Sequence, residues 1–433
     1  MIRKHFWLWL IIILFLATRL YKITQIPGSV YWDEASIGYN AYAVATDLKD
    51  EWGEVLPLHF RAFGEFKLPV YIYSVSALTK IFGLGELAVR LPAVMYGLGV
   101  VILAYFLAGP AASFILTVTP WLFIFSRTGY EAIAGLFFFL LFVYLLEGYK
   151  KKNVLVVFAA IAAVASIYSY NAFRIITPIY LIYWAIKVKP RNLKVLLPSL
   201  AIFLISLIPI AKVFYLDSGA ARLATVGLSD PVTIARNYVS HFSFDFLFLN
   251  GDTNNRHQQP GWGQLYWIEL PLFLLGVWKI LKGKSKSAWM FLFLLVIAPI
   301  PAAITKETPH ALRSVLMPFA ISAISALGLL SVRRAVLAIA VVVYIIFFGL
   351  YFRDFVTNYN SKTSSDWQHE YKEIYAKTKE GFVTDKYAQP YIFALYYLKY
   401  PPQEFRNTVK YNSPDKWGFS TVESFGPFIF KSP

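Results

Sequence analysis

Paired carboxylates stand near the start of the sequence, directly after its first apolar segment. Asp33 and Glu34 follow Tyr31 and Trp32 at the mouth of that segment. A pair of acids in a loop is often solvated surface. A carboxylate beside a membrane face, however, can also act as a general base toward a hydroxyl group. Asp33 and Glu34 are therefore the first candidates for catalytic residues.

Cations form a second group, and they also lie at the ends of apolar segments. Lys67 follows Glu65, whereas Arg127, Arg174 and Arg313 lie in short connections between apolar segments. Lys67 alone would serve as an anchor at the level of lipid headgroups. Arginine keeps its charge and binds phosphate oxygens in a bidentate geometry. Lys67, Arg127, Arg174 and Arg313 together therefore indicate a phosphate-bearing ligand that approaches from the bilayer.

Other polar residues adjoin these two groups and complete the candidate site. The candidate substrate-binding residues are Glu65, Arg90, Glu131, Tyr170, His257 and His310. The chain has no cysteine, which excludes thiolate metal sites and cysteine nucleophiles. Glu65 and His257 are the pair that would hold a divalent cation. Two ligands so distant in sequence are weak evidence, so no required metal is predicted.

The composition predicts the elements that position these residues. Of 433 residues, 58% are hydrophobic and only 15% charged, against roughly a quarter charged in soluble domains. Apolar runs of about 16–24 residues recur, and about 20 residues cross a bilayer as a helix. The net charge of +16 is carried largely by short loops between these runs, as the positive-inside rule requires. The chain is predicted to be a polytopic membrane protein, with the bilayer and no nucleic acid as a partner.

A count of membrane crossings predicts the topology. The candidate segments are 5–24, 68–83, 88–108, 111–126, 130–149, 153–169, 172–187, 195–216, 265–282, 287–304, 310–330 and 332–352. Twelve crossings would place the N-terminus outside, whereas Arg3 and Lys4 predict that it is cytoplasmic. Segment 68–83 is short and carries several polar side chains, so we assign it to the outer interface. About 11 transmembrane helices remain, with external loops at 25–87 and 217–264.

The C-terminal region differs in composition from the rest of the chain. Charges and prolines become more frequent after residue 352, and apolar runs shorten. The pattern predicts a strand over 381–386 and a helix over 389–399. We therefore expect an all-α transmembrane domain over 1–352 and a small extracytoplasmic α/β domain over 353–433.

With these residues in place, the sequence resembles the GT-C superfamily of glycosyltransferases. The likeness is closest to the group of protein O-mannosyltransferases and aminoarabinose (lipid A) transferases. It covers most of 1–352 and is sharpest over 27–131. The motifs that carry it are Asp33-Glu34, Glu65-x-Lys67-x-Pro69, Arg90-Leu91-Pro92 and Ser126-Arg127 with Glu131. One departure concerns Glu65, because Phe66 separates it from Lys67 where the aminoarabinose type has adjacent residues.

The resemblance implies a reaction and a set of roles. The donor would be a hexose, mannose or aminoarabinose on polyprenyl phosphate (undecaprenyl or dolichyl), transferred with inversion to a hydroxyl of a protein, lipid or wall glycan. Asp33 would be the general base, supported by Glu34. Lys67 and Arg174, with Arg313, would hold the donor phosphate. No cofactor is required, although a divalent cation contributes in some relatives.

Two other functions fit part of the same pattern. A transporter or flippase of a lipid-linked sugar would also bind this ligand, but transporters tend to place charges near the midplane in broken, repeated helices. A non-catalytic glycolipid-binding protein would tolerate loss of Asp33. The expected location is the cell membrane of a bacterium or archaeon, with the active site and the C-terminus extracytoplasmic.

Overall fold

A computed structural model describes residues 5–216, 227, 230–283, 288–385, 389–416 and 418–431. Arg3 and Lys4, on which the predicted orientation of the N-terminus depends, lie outside these residues. So do residues 217–226 and 228–229 of the external loop predicted at 217–264, and residues 386–388 of the predicted C-terminal strand and its following connection.

Helices dominate the chain up to residue 363. The helices of the first half are Phe6–Leu20, Trp32–Asp47, Pro69–Phe82, Glu86–Ala108, Pro110–Val118, Pro120–Phe125, Ala132–Glu147, Leu155–Ile167, Phe173–Val188 and Leu193–Leu216. Those that follow are Pro231–Ser240, the π-helix Asp245–Leu249, Glu269–Lys282, Ala288–Ile297, Ile300–Ala303, Met317–Leu329 and Arg334–Thr363. A two-stranded hairpin, β1 (Phe60–Arg61) with β2 (Phe66–Lys67), interrupts this succession.

Several helices have the length and composition of membrane spans. Glu86–Ala108, Leu193–Tyr215 and Arg334–Thr363 are long and apolar enough to cross a bilayer. Shorter apolar helical segments accompany them, namely Phe6–Leu20, Ala132–Glu147, Leu155–Ile167, Met317–Leu329 and the stretch Ala288–Ala303, which two successive helices form. The helical, membrane-embedded class is as predicted, whereas the number of about 11 crossings stays a prediction.

Proline divides some of the predicted spans. Segment 111–126 is broken between Val118 and Pro120, because proline cannot donate the helical hydrogen bond and its ring clashes with the preceding turn. Segment 287–304 is likewise interrupted next to Pro299. Segment 310–330 becomes helical only from Met317.

Two helices occupy the region predicted as the external loop 25–87. Trp32–Asp47 and Pro69–Phe82 pack against each other, and both contact Glu86–Ala108. Gly38 allows the helix Pro390–Tyr397 to approach this group, since a Cβ at that position would lie 2.6 Å from the ring of Tyr396. The helix that carries Asp33 is therefore packed against both the membrane helices and the C-terminal region.

The C-terminal region is the small α/β unit expected from the sequence. Its helices are His369–Lys377, Pro390–Tyr397 and Pro402–Thr408, and its strands are β3 (Gly381–Val383), β4 (Lys410–Tyr411), β5 (Val422–Phe425) and β6 (Phe428–Phe430). The strand order is β3-β6-β5-β4, with β3 and β6 parallel. The helix Arg334–Thr363 continues through the predicted boundary at 352 without a break, and the division into two domains stays a prediction.

Candidate active site

Two buried arginines hold the connection between the first helix and the helix Trp32–Asp47. Arg90 donates hydrogen bonds of 2.6–3.0 Å to three backbone carbonyls of this connection, those of Ile23, Pro27 and Ser29. Arg127 donates bonds of 2.9–3.0 Å to three more carbonyls, that of Thr18 in the last turn of the first helix and those of Tyr21 and Ile26 in the connection. Six carbonyls that no helix or strand satisfies are thereby paired.

Glu34 completes this buried frame, which we define as Glu34, Arg90 and Arg127. Its two carboxylate oxygens accept from Nε and Nη2 of Arg90 at 3.1 and 3.0 Å. Oε1 also accepts from the backbone N–H of Gly129 at 2.7 Å. Planar, bidentate pairing of this kind is the strong geometry for arginine and carboxylate.

The observed contacts of the three frame residues differ from the roles predicted for them. Glu34 was expected to be catalytic, Arg127 to bind the donor phosphate and Arg90 to bind substrate. All three are 0% exposed, and the hydrogen bonds above keep their charged groups inside the protein. The contacts of Arg90 and Arg127 fix the backbone that leads to Asp33, so none of the three side chains is free to reach a substrate in this arrangement.

Asp33 and Lys67 form the ion pair at the centre of the site. Asp33 Oδ1 lies 2.6 Å from Lys67 Nζ, and the Oε1 of Glu65 lies 3.3 Å from the same ammonium. Lys67 is only 4% exposed, whereas the carboxylates of Asp33 and Glu65 are 25% and 23% exposed. The indole N–H of Trp32 donates to the other oxygen of Asp33 at 3.2 Å. An accessible carboxylate therefore faces a buried cation.

Glu131 adds a further negative charge beside Lys67. Burial opposes the charge on Lys67, but the fields of Asp33, Glu65 and Glu131 outweigh it and raise the pKa of Lys67 above its usual range. Lys67 is therefore protonated across the neutral range. Its ammonium has three N–H groups. Among the described residues Asp33 and Glu65 are its carboxylate partners, which would leave one donor for a ligand.

Arg256 joins this site although it was not among the predicted residues. Its guanidinium lies 5.0 Å from the ring centroid of Tyr31 and 5.8 Å from that of Trp32, and it interacts electrostatically with Asp33. Its Nη1 donates to the carbonyl of Asp366 at 3.0 Å. The other arginines were selected because they lie in predicted external loops, and the same criterion would have selected Arg256, which lies in the predicted loop 217–264. Only the folded chain brings it to Asp33.

Arg174 contacts His59, the residue that precedes strand β1. Its Nη2 is 3.3 Å from Nε2 of His59, and its Nε donates to the carbonyl of Ile167 at 3.4 Å. The His59 ring in turn packs edge-on against Phe66, the neighbour of Lys67. Within the described part of the chain, no carboxylate oxygen comes within 4.0 Å of Arg174. Its charge is therefore available to an anionic ligand.

The remaining predicted residues lie elsewhere in the described contacts. Arg313 pairs with Glu307 at 3.2 Å and donates to Thr305 at 2.8 Å. Tyr170 packs beside Gly135, in the helix that Glu131 precedes.

His257 and His310 are buried next to Asp252, with Nδ1 to Oδ2 distances of 3.1 and 3.9 Å. Glu65 and His257, the pair considered for a divalent cation, have different partners, since Glu65 pairs with Lys67 and His257 with Asp252.

Solved structures with a similar fold were found, although no protein-family profile and no curated protein match this sequence. ArnT from Cupriavidus metallidurans bound to undecaprenyl phosphate is 12% identical, with a TM-score of 0.53 over 92% of this chain and 84% of that chain. The archaeal oligosaccharyltransferase AglB from Archaeoglobus fulgidus, in complex with an inhibitory peptide and a dolichol-phosphate, is 15% identical, with a TM-score of 0.51 over 87% of this chain.

The shared fold does not extend over the whole of every similar structure. The chain spans 59% of the AglB chain and 61% of ArnT from Cupriavidus metallidurans in the apo state, which it matches with 12% identity over 78% of its own length at a TM-score of 0.49. ArnT and AglB both belong to the GT-C superfamily. The fold predicted from the sequence is thereby confirmed: this chain has the GT-C fold.

Proposed function

We propose that this protein is a glycosyltransferase that moves a sugar from a polyprenyl-phosphate carrier to a hydroxyl group at the extracytoplasmic face of the membrane. The observation that carries the proposal is the pair of Asp33 and Lys67, an accessible carboxylate 2.6 Å from a buried ammonium. The GT-C fold supports it, because two of the similar structures are complexes with undecaprenyl phosphate and with a dolichol-phosphate.

The proposed reaction is a single displacement at the anomeric carbon of the donor. Asp33 accepts the proton of the acceptor hydroxyl as its oxygen attacks that carbon. The new glycosidic bond forms while the bond from the anomeric carbon to the phosphate oxygen breaks. The polyprenyl phosphate leaves with the electron pair of the broken bond. The configuration of the anomeric carbon is inverted, because the hydroxyl attacks opposite the leaving phosphate, and no other reactant is consumed.

Cations stabilise the phosphate as its negative charge grows. Lys67 is placed for this role because it is buried and protonated beside Asp33. Arg256 is a further member of the proposed set because it stacks on Tyr31 and Trp32 beside Asp33. Arg174 is included because no carboxylate oxygen of the described residues lies within 4.0 Å of its guanidinium. Preorganised charges of this kind act most strongly where water is excluded. Arg313 stays outside the set, because Glu307 already engages its guanidinium.

A transfer assay tests the proposal. Purified full-length protein in lipid vesicles is given polyprenyl-phosphate mannose, radiolabelled in the sugar, and then related donors, together with mixed cell-envelope acceptors. Label is expected to leave the lipid fraction and appear covalently in an acceptor. A flippase would instead carry intact labelled lipid across the vesicle membrane. Intact lipid transported without cleavage would therefore contradict the proposal, as would donor binding without turnover when matched acceptors are present.

Replacing Arg256 with glutamine is expected to weaken donor binding by about 10- to 100-fold, because a charged hydrogen bond to phosphate contributes about 1.5–3 kcal/mol. Arg256→Lys should lose less, since it keeps the charge but not the planar donor geometry. Arg236→Gln is the matched control, an exposed arginine on the helix Pro231–Ser240. Binding of radiolabelled donor is measured by filtration. Equal affinity of Arg256→Gln and wild type would remove Arg256 from the phosphate-binding set.

A further inference from the structure

Three metal-binding side chains meet in a buried cluster outside the proposed reacting set. Asp252, His257 and His310 are 3%, 5% and 7% exposed, and their ligand atoms all lie within 4.8 Å of one another. Asp252 and His257 belong to the loop before the helix Glu269–Lys282, and His310 to the turn before Met317–Leu329. We propose that this cluster binds one transition-metal cation, with zinc as the best match, and that the cation fixes the loop that carries Arg256.

The distances suit a tetrahedral ion. Zinc bonds of about 2.0–2.1 Å place neighbouring ligand atoms roughly 3.3 Å apart in a tetrahedral site. Oδ2 of Asp252 lies 3.1 Å from Nδ1 of His257 and 3.9 Å from Nδ1 of His310, values on either side of that spacing. Nδ1 of each imidazole faces this carboxylate oxygen, and Nδ1 of His310 also accepts from the backbone N–H of Arg313 at 3.4 Å. Binding of a single ion would require the His310 ring to give up this contact and move closer to Oδ2 of Asp252.

The donor set also selects the kind of ion. Two imidazole nitrogens and one carboxylate oxygen suit zinc and its neighbours in the first transition row, whereas calcium and magnesium prefer oxygen ligands alone. Three protein ligands leave a fourth position of a tetrahedral ion open for a water molecule.

Backbone groups already orient the ligands as a metal site demands. The carboxylate of Asp252 accepts from the N–H of Asn254 at 2.9 Å and from that of Ala311 at 2.7 Å. The N–H of His310 donates to the ring of His241 at 3.2 Å. Such outer contacts fix the position of the ligands in metal sites. The competing explanation is a hydrogen-bonded cluster in which Asp252 accepts from His257 and no ion binds.

The cluster is connected to the active site through aromatic packing. The ring of His257 lies 5.5 Å from that of Tyr130, and Tyr130 lies 5.4 Å from Tyr31. Arg256 precedes His257 and stacks on Tyr31. An ion on His257 would therefore hold Arg256 toward Asp33. This link to Arg256 rests on the proposed function, whereas binding of the ion does not.

Zinc binding by the full-length protein tests the site without any activity. Wild type in detergent is treated with EDTA, desalted, incubated with zinc chloride and desalted again, and its metal content is measured by mass spectrometry. About one zinc per chain is expected. Asp252→Asn, His257→Gln and His310→Gln should each fall to the background of the method. His369→Gln, at a half-exposed histidine that faces Glu373, should keep the wild-type content.

Two further measurements need no variant. Zinc should raise the thermal midpoint of EDTA-treated wild type, because an ion that binds only the folded chain stabilises it. Cobalt in place of zinc should give the visible absorption of a tetrahedral site. If wild type retains no zinc and its midpoint does not change, the cluster is hydrogen-bonded only and the proposal is wrong. Zinc retention in a protein that transfers no sugar would leave the metal site standing and refute the proposed function instead.

Discussion

Asp33→Asn is expected to lower the rate of sugar transfer by about 10²- to 10⁴-fold, the usual contribution of a positioned general base. The amide cannot accept the proton of the acceptor hydroxyl, although it keeps the size of the carboxylate. Donor binding should survive, because Lys67 would still be paired with Glu65 and would have one fewer carboxylate competing for its ammonium. Turnover with saturating donor and donor affinity are measured separately on the same preparations.

The same helix offers a matched control for this substitution. Asp47 lies at the opposite end of the helix Trp32–Asp47 and is paired with Arg406. At about 1.5 Å per residue, it is on the order of 20 Å from Asp33. Asp47→Asn makes the same chemical change and should transfer sugar at the wild-type rate. Equal transfer by wild type and Asp33→Asn would exclude Asp33 as the base, whereas loss of donor binding would indicate that Asp33 shapes the phosphate site.

Arg90→Ala is expected to destabilise the protein by about 3–5 kcal/mol, the effect of breaking a buried ion pair from one side. The substitution leaves Glu34 buried without its cation and removes the donors of three backbone carbonyls. The thermal midpoint in detergent, measured as the temperature at which half of the monodisperse protein is lost, should fall sharply. Arg353→Ala, at an exposed position of the helix Arg334–Thr363, should change it little.

A double variant separates the two functions of Arg90. Glu34→Leu with Arg90→Met removes both charges together, and paired apolar replacement of a buried ion pair is often close to neutral. Stability should recover only in part, because the carbonyls of Ile23, Pro27 and Ser29 stay without donors. Full recovery would show that the carbonyl bonds contribute nothing, and an unchanged midpoint in Arg90→Ala alone would show that the frame does not stabilise the fold.

The buried frame and the ion pair of Asp33 and Lys67 have different roles in the proposed site. Glu34 is next to Asp33 in sequence, yet its side chain is fully buried whereas that of Asp33 is partly exposed. Successive residues of a helix point in directions about 100° apart, so the first turn of Trp32–Asp47 sends one acid inward and the other toward the site. An adjacent acid pair therefore supplies one anchor and one reactive group.

Local sequence was sufficient for the membrane class, for many of the helices and for most of the chemical groups. Apolar runs and prolines affect the backbone conformation of the residues next to them, so short elements can be predicted from local sequence. The helix predicted over 68–83 is found at Pro69–Phe82. The strand predicted near 381 and the helix predicted near 390 are also present. Asp33 and Lys67 were likewise recognised by residue type and by their position beside apolar segments.

Tertiary structure decided which of these groups meet. The bidentate pair of Glu34 and Arg90, the approach of Arg256 to Asp33, and the cluster of Asp252 with His257 and His310 all join elements separated in sequence. No local pattern encodes such pairs, because a side chain's partner depends on how helices pack and on which carbonyls a buried arginine must satisfy. For the same reason the sequence predicted Arg127 as a phosphate ligand, whereas in the folded protein its guanidinium donates to backbone carbonyls.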